Sequence, residues 1–101
     1  MVIVERMIQQ IAPGKWEELQ ELDKKYNVVE SRLGFPAKKR YWAYAGNHPS
    51  GTLIITRQWD SMAEMEATYE KAFADSEHQA LNEEGTGIVL SSQFEFYIPI
   101  E

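Results

Sequence analysis

Arg40, Trp42, Tyr44, Arg57, Trp59, Glu95 and Tyr97 alternate along three strand-like runs, and the expected register puts them on one face of a sheet, turned away from the helices. Aromatic rings with a few fixed polar groups are what a pocket for a small aromatic molecule requires. The rings supply stacking area, and a guanidinium or a phenol orients an oxygen. A site acting on a substrate anion would also need a base or a hydrogen-bond donor to stabilise it, a role open to Arg57, Tyr44 or Tyr97. The same residue types are enriched at protein interfaces, so the set equally describes the contact between two copies of the chain. Tyr69 adds a hydroxyl from a helical stripe whose Met62 and Met65 read as core. His78 stands among Glu77, Glu83 and Glu84 and reads first as a solvated surface group, while His48 beside Pro49 reads as turn chemistry.

Other chemistries find less support. Two histidines, one of them in a turn, match no metal-ligand spacing, and Asn82-Glu83-Glu84-Gly85 is a faint echo of a hard-cation loop, so no metal is assigned. Gly85-Thr86-Gly87 precedes a strand and not a helix, so no helix amino end is aimed at an anion. Ser91 and Ser92 lack the strained turn of an activated nucleophile. No titratable pair stands out as an acid–base couple, which ranks binding above chemistry and leaves no cofactor assigned. Sixteen acids against ten bases give a formal charge of −6, which repels phosphate backbones and acidic leaflets and makes nucleic acid and membrane unlikely partners. There is no Cys, no apolar run near the roughly 20 residues of a bilayer span, and Met1-Val2-Ile3-Val4 is followed at once by Glu5 and Arg6. A cytoplasmic protein is expected.

The elements that must position these residues are legible in the periodicity. A chain of 101 residues with 44% hydrophobic and 12% aromatic content predicts one packed domain, residues 1–101. Val2 to Ile11 carries apolar residues on both parities, as a strand covered on both faces would. After Ala12-Pro13-Gly14, Trp16, Leu19, Leu22, Tyr26, Val29 and Leu33 follow the helical period, with Gly34 and Pro36 as the stop. Lys38 to Gly46 and Thr52 to Asp60 then alternate as a hairpin around Asn47-His48-Pro49-Ser50. In it, Ala43 and Ala45 are expected to face the helices because small residues allow close approach, which turns Trp42, Tyr44, Leu53, Ile55 and Trp59 the other way. Ser61 with Glu64 forms a capping box for a second helix with Met62, Met65, Tyr69 and Phe73 as its stripe. Ser76 with Gln79 repeats the box, predicting a break near Asp75 and a short helical turn ending at Gly85. The last strand is expected from about Gly87 to Ile100. This order predicts an α+β, ferredoxin-like βαββαβ fold, with a four-stranded antiparallel sheet and two helices on one face. The uncovered face would be too apolar for a monomer, and a second copy packed sheet to sheet with two-fold symmetry is the simplest cover.

Three stretches also carry a family likeness. Gln10-Ile11-Ala12-Pro13-Gly14-Lys15 entering the first helix, Gln58-Trp59-Asp60-Ser61-Met62-Ala63-Glu64-Met65-Glu66 entering the second, and Phe94-Glu95-Phe96-Tyr97-Ile98-Pro99 at the close resemble the dimeric α+β barrel superfamily. The NIPSNAP-like and antibiotic-biosynthesis-monooxygenase-like groups are nearest. The similarity spans nearly the whole chain, and its motifs are structural punctuation more than chemistry. It implies a homodimer whose sheets close a barrel, with a cavity between sheet and helices or within the barrel. Members include cofactor-independent oxygenases of aromatic substrates, haem degraders, isomerases and several without known activity. His78 falls where the haem-degrading branch has a histidine. The rest of that set departs, since the first strand has no Asn and the second helix has Thr68 and Tyr69 where a Trp is needed. Two readings follow: a binding or oxidising protein for a small aromatic ligand, held by Arg40, Trp42, Tyr44, Arg57, Trp59, Tyr69, His78, Glu95 and Tyr97, or a non-catalytic scaffold with a filled barrel.

Overall fold

Alternating and helical runs resolve into β1 (Ile3–Ile11), α1 (Trp16–Leu33), β2 (Lys38–Trp42), β3 (Thr52–Trp59), α2 (Met62–Ala74), α3 (Ser76–Glu84) and β4 (Val89–Tyr97). The structure is a computed structural model and describes residues 1–100. The strands form one four-stranded sheet in the order β2-β3-β1-β4, every neighbouring pair antiparallel. All three helices lie on one face, giving the ferredoxin-like α+β arrangement expected from the element order, with α3 as a full nine-residue helix.

Register decides which side chains meet the helices. Ile3 is opposite Trp59, Glu5 opposite Arg57, Met7 opposite Ile55 and Gln9 opposite Leu53. On the flanks Lys38 is opposite Arg57, Arg40 opposite Ile55 and Trp42 opposite Leu53, while Glu5 is opposite Phe96 and Met7 opposite Phe94. Residues paired in this way share a face. Leu53 and Ile55 pack on Leu19 of α1, and Ile3 and Trp59 pack on Met65 of α2, so this is the helix-covered, inner face. The outer face carries Val4 opposite Tyr97, Arg6 opposite Glu95, and Ile54 between Ile8 and Tyr41.

This reverses the expected facing. Leu53, Ile55, Arg57 and Trp59 are buried against the helices and do not line an open face. Ala43 and Ala45 lie beyond β2, which ends at Trp42; Ala43 is half-buried and donates its N–H to the Thr52 carbonyl at 3.0 Å, and Ala45 is exposed. Within the described residues the outer face of β1 meets no helix, although Ile8 is buried there. On the helices, Leu19, Leu22 and Val29 are buried as expected, yet Trp16, Met62 and Phe73 are exposed.

Local signals set the helix ends. The Ser61 hydroxyl accepts from the Glu64 N–H at 3.1 Å, as the capping box predicts. The cap of α3 is Asp75, not Ser76: its carboxylate accepts from the His78 N–H at 2.9 Å and takes two bonds from Arg32, each 2.9 Å. At the end of α1, Gly34 adopts φ 91°, its N–H reaches the Ser31 carbonyl, and the Phe35 N–H reaches the Glu30 carbonyl at 2.9 Å. This left-handed exit needs a residue without a Cβ penalty, and it aims Phe35 back under the sheet. Gly34→Ala is expected to lower the unfolding free energy by about 1 kcal/mol, read as a lower urea midpoint with an unchanged slope.

Candidate functional site

Between the inner sheet face and the helices lies a cavity of about 820 Å³. Met7, Leu53, Ile55 and Val89 from the sheet, with Leu19 and Leu22 from α1, make most of its wall apolar. Phe94 and Phe96 of β4, both half exposed, stack at 6.4 Å beside Tyr69 of α2.

The polar part of the wall is built from three pairs. Glu5, 1% exposed, lies behind the wall; its Oε1 accepts from the Trp59 indole N–H at 2.8 Å and its Oε2 accepts from the Tyr69 hydroxyl. Burial, then the bond to Glu5, hold the Tyr69 hydroxyl far above the usual phenol range, so Tyr69 stays protonated. Arg57, 4% exposed, pairs with Glu30 at 2.7 Å and lies over the Phe35 ring at 4.9 Å. His78, 8% exposed, stacks on Phe35 and meets the Tyr26 ring edge-on, with the Asn82 amide 3.5 Å from its Nδ1. Desolvation pushes its pKa down against the opposing pull of Glu30 and Asp75, so the imidazole is neutral at pH 7. Tyr26 donates to Asn82 at 2.5 Å, and its pKa is pushed up to about 12 by burial and then by Glu30 and Glu84.

A ladder of ion pairs ties α1 to the sheet beside this wall. Lys38 reaches Asp23 at 2.7 Å and Glu30 at 3.1 Å, and Arg40 reaches Asp23 at 3.2 Å. Pairs of this kind add little net stability, but Arg57 has Glu30 as its one acid, and losing Glu30 would strand it at a cost on the order of 3–5 kcal/mol.

The anticipated residues are therefore divided. Arg57, Tyr69 and His78 line the cavity, and Trp59 sits behind it as the second donor to Glu5. Arg40 belongs to the ion-pair ladder and also donates to Gln20. Trp42 packs on Trp16 at 4.7 Å at the sheet edge, and Tyr44 lies beyond β2, fully exposed. Glu95 and Tyr97 are on the outer face, where the Tyr97 hydroxyl donates to Glu95 and Arg6 lies 3.7 Å away. The seven-residue constellation does not exist as one surface. His78 is buried and not a solvated surface group, and His48 does more than shape a turn, its Nε2 lying 2.9 Å from the Arg6 guanidinium. Glu5, Asp23, Glu30, Phe35 and Phe94 escaped notice. Asp23 and Glu30 were detectable: they flank Leu22 and Val29 on the inner side of α1, and acids there demand cations opposite.

No protein-family model matches the sequence, and no curated protein matches it. Solved structures do. The fold class is α+β with ferredoxin-like topology, and within it the fold is NIPSNAP-like. A NIPSNAP family protein from Agrobacterium tumefaciens superposes with a TM-score of 0.82 at 22% identity, covering 99% of this chain and 87% of that one. An uncharacterized NIPSNAP-like domain protein from Burkholderia xenovorans superposes at 0.77 with 14% identity, covering 98% and 85%. A second from the same organism, an uncharacterized NIPSNAP domain protein, gives 0.75 and 18%, covering 97% and 94%. At these identities the likeness is one of fold.

The neutral, buried imidazole has a consequence for stability. Its pKa is lower folded than the ordinary 6.5, so its contribution is complete above that value and is lost as pH falls from it, while the unfolded chain takes up a proton the folded chain refuses. Thermal melts at pH 7 and pH 5 are expected to show a larger loss for the native protein than for His78→Asn.

Proposed function

We propose that this chain is a single-domain, homodimeric, monooxygenase-like protein that binds a small apolar or aromatic molecule between its sheet and its helices. The cavity carries the reading. Its volume, about 820 Å³, falls within the range of ligand sites, roughly 300–1,000 Å³, and its wall is apolar over most of its area with convergent polar groups at one part. Binding is the activity these groups support: the Tyr69 phenol, the Arg57 guanidinium and the neutral His78 imidazole gather at that polar part, where they would orient a bound molecule. The competing reading, a scaffold filled by its own side chains, is not favoured by an open volume of this size.

Dimerisation is supported by the outer face. Val4, Ile8, Tyr41, Ile54 and Tyr97 form an apolar strip across all four strands, and a second copy turned by a two-fold would cover it.

Two measurements test the reading. N-phenyl-1-naphthylamine, an uncharged dye that brightens in apolar surroundings, is expected to bind the native protein, and Met7→Trp, which fills the cavity floor, is expected to abolish the signal. Undiminished fluorescence in Met7→Trp would move the site elsewhere. In sedimentation at micromolar concentration two chains are expected to travel together and Ile54→Arg to travel as one; a native monomer removes the dimer from the proposal.

A further inference from the structure

Tyr69 and Glu5 present an asymmetry to anything in the cavity. The phenol lines the wall and the carboxylate lies behind it, so a ligand meets the pair only through the Tyr69 oxygen. The single proton on that oxygen is already given to Glu5 Oε2, and Glu5 Oε1 is taken by the Trp59 N–H at 2.8 Å. A tyrosine hydroxyl has one hydrogen and two lone pairs, so what remains for the cavity is an acceptor alone.

The charges nearby are paired, although the Nε–H groups of Arg40 and Arg57 stay buried without a hydrogen-bond partner. Arg57 is held by Glu30, Lys38 by Asp23 and Glu30, and Arg40 by Asp23. With Glu5 counted, three acids and three bases face one another on the inner layer, and Glu66 and Glu70 add carboxylates to the cavity wall. An anionic head group entering here finds each of these three cations already paired with a carboxylate and meets the charges of Glu66 and Glu70.

The geometry points to a ligand with an apolar body and an uncharged hydroxyl, a phenol or an alcohol, whose O–H donates to the Tyr69 oxygen; Tyr69, oriented by Glu5, is the residue that sets this preference. The inference rests on the ligand-binding reading above and goes further by naming the head group and excluding carboxylates.

Four probes with one ring body separate the possibilities, titrated at pH 7 by calorimetry: naphthalene, 2-naphthol and 2-naphthoate for the native protein, with 2-acetylnaphthalene added for the Glu5→Gln variant. The native protein is expected to bind 2-naphthol about fivefold more tightly than naphthalene, one hydrogen bond's worth, and at least about tenfold more tightly than 2-naphthoate. Tyr69→Phe is expected to bring 2-naphthol down to the level of naphthalene. Glu5→Gln gives a sharper reading, because Trp59 can only donate and so takes the amide oxygen, leaving the amide N–H₂ to donate to Tyr69. The phenol proton then turns to the cavity, and 2-acetylnaphthalene, which only accepts, is expected to overtake 2-naphthol. Equal affinity of the native protein for 2-naphthol and naphthalene, or 2-naphthoate binding as tightly as 2-naphthol, overturns the inference while leaving a ligand cavity in place. Binding of none of the probes overturns the cavity reading and this inference together. The native series decides the matter even if a variant fails to fold.

Discussion

Charge cannot be left unpaired on a layer that has lost its water, and this constraint organises the inner face of the sheet. Six ionisable side chains, Glu5, Asp23, Glu30, Lys38, Arg40 and Arg57, sit between sheet and helices. Each carboxylate has donors: Glu30 takes Lys38 and Arg57, Asp23 takes Lys38 and Arg40, and Glu5 takes Trp59 and Tyr69. A sheet turned the other way would carry three cations into water and leave Asp23 and Glu30 buried without partners. The apolar residues Leu53, Ile55 and Trp59 follow the cations to the inner face because their alternation places them on the same parity.

The cavity follows from the same arrangement. Ion pairs between long side chains span the gap from α1 to β2 and β3, and the Phe35 ring, aimed inward by the left-handed turn at Gly34, stands under Arg57 and against Tyr69 and His78. Leu19 packs on Leu53 and Ile55, and these side chains with Leu22 and Met7 line the space beside that contact. The result is a chamber mostly apolar, with phenol, guanidinium and imidazole gathered where the buried charges are.

Much of the architecture was legible in the residues. The period of α1 from Trp16 to Leu33, the Ser61 cap, the break at Asp75 and the alternation of β3 and β4 all express local physics, and all reappear in the structure. The site was half legible. Arg57, Tyr69 and His78 do line the cavity, and Glu95 and Tyr97 face away from the helices as expected, but Arg57 and Trp59, placed with them by parity, face the helices instead. The cause lies in the hairpin: the expectation that Ala43 and Ala45 face the helices fixes the parity of β2 and β3, and β2 ends before them. His78 was misread for a related reason, since its acid neighbours Glu77, Glu83 and Glu84 are exposed while its own ring turns inward against Tyr26 and Phe35.

The amino-acid order by itself determined the elements, their sequence and most of their ends, because caps, turns and periodicity act over a few residues. Only the tertiary structure decided which face of the sheet the helices cover, that His78 is buried, and that Glu5 stands behind Tyr69. A period of two says which side chains point the same way and is silent about which way. That choice belongs to contacts between residues far apart in the chain, Glu30 with Arg57, Asp23 with Lys38 and Glu5 with Tyr69, whose energies appear once burial has removed the water that would otherwise serve each of them.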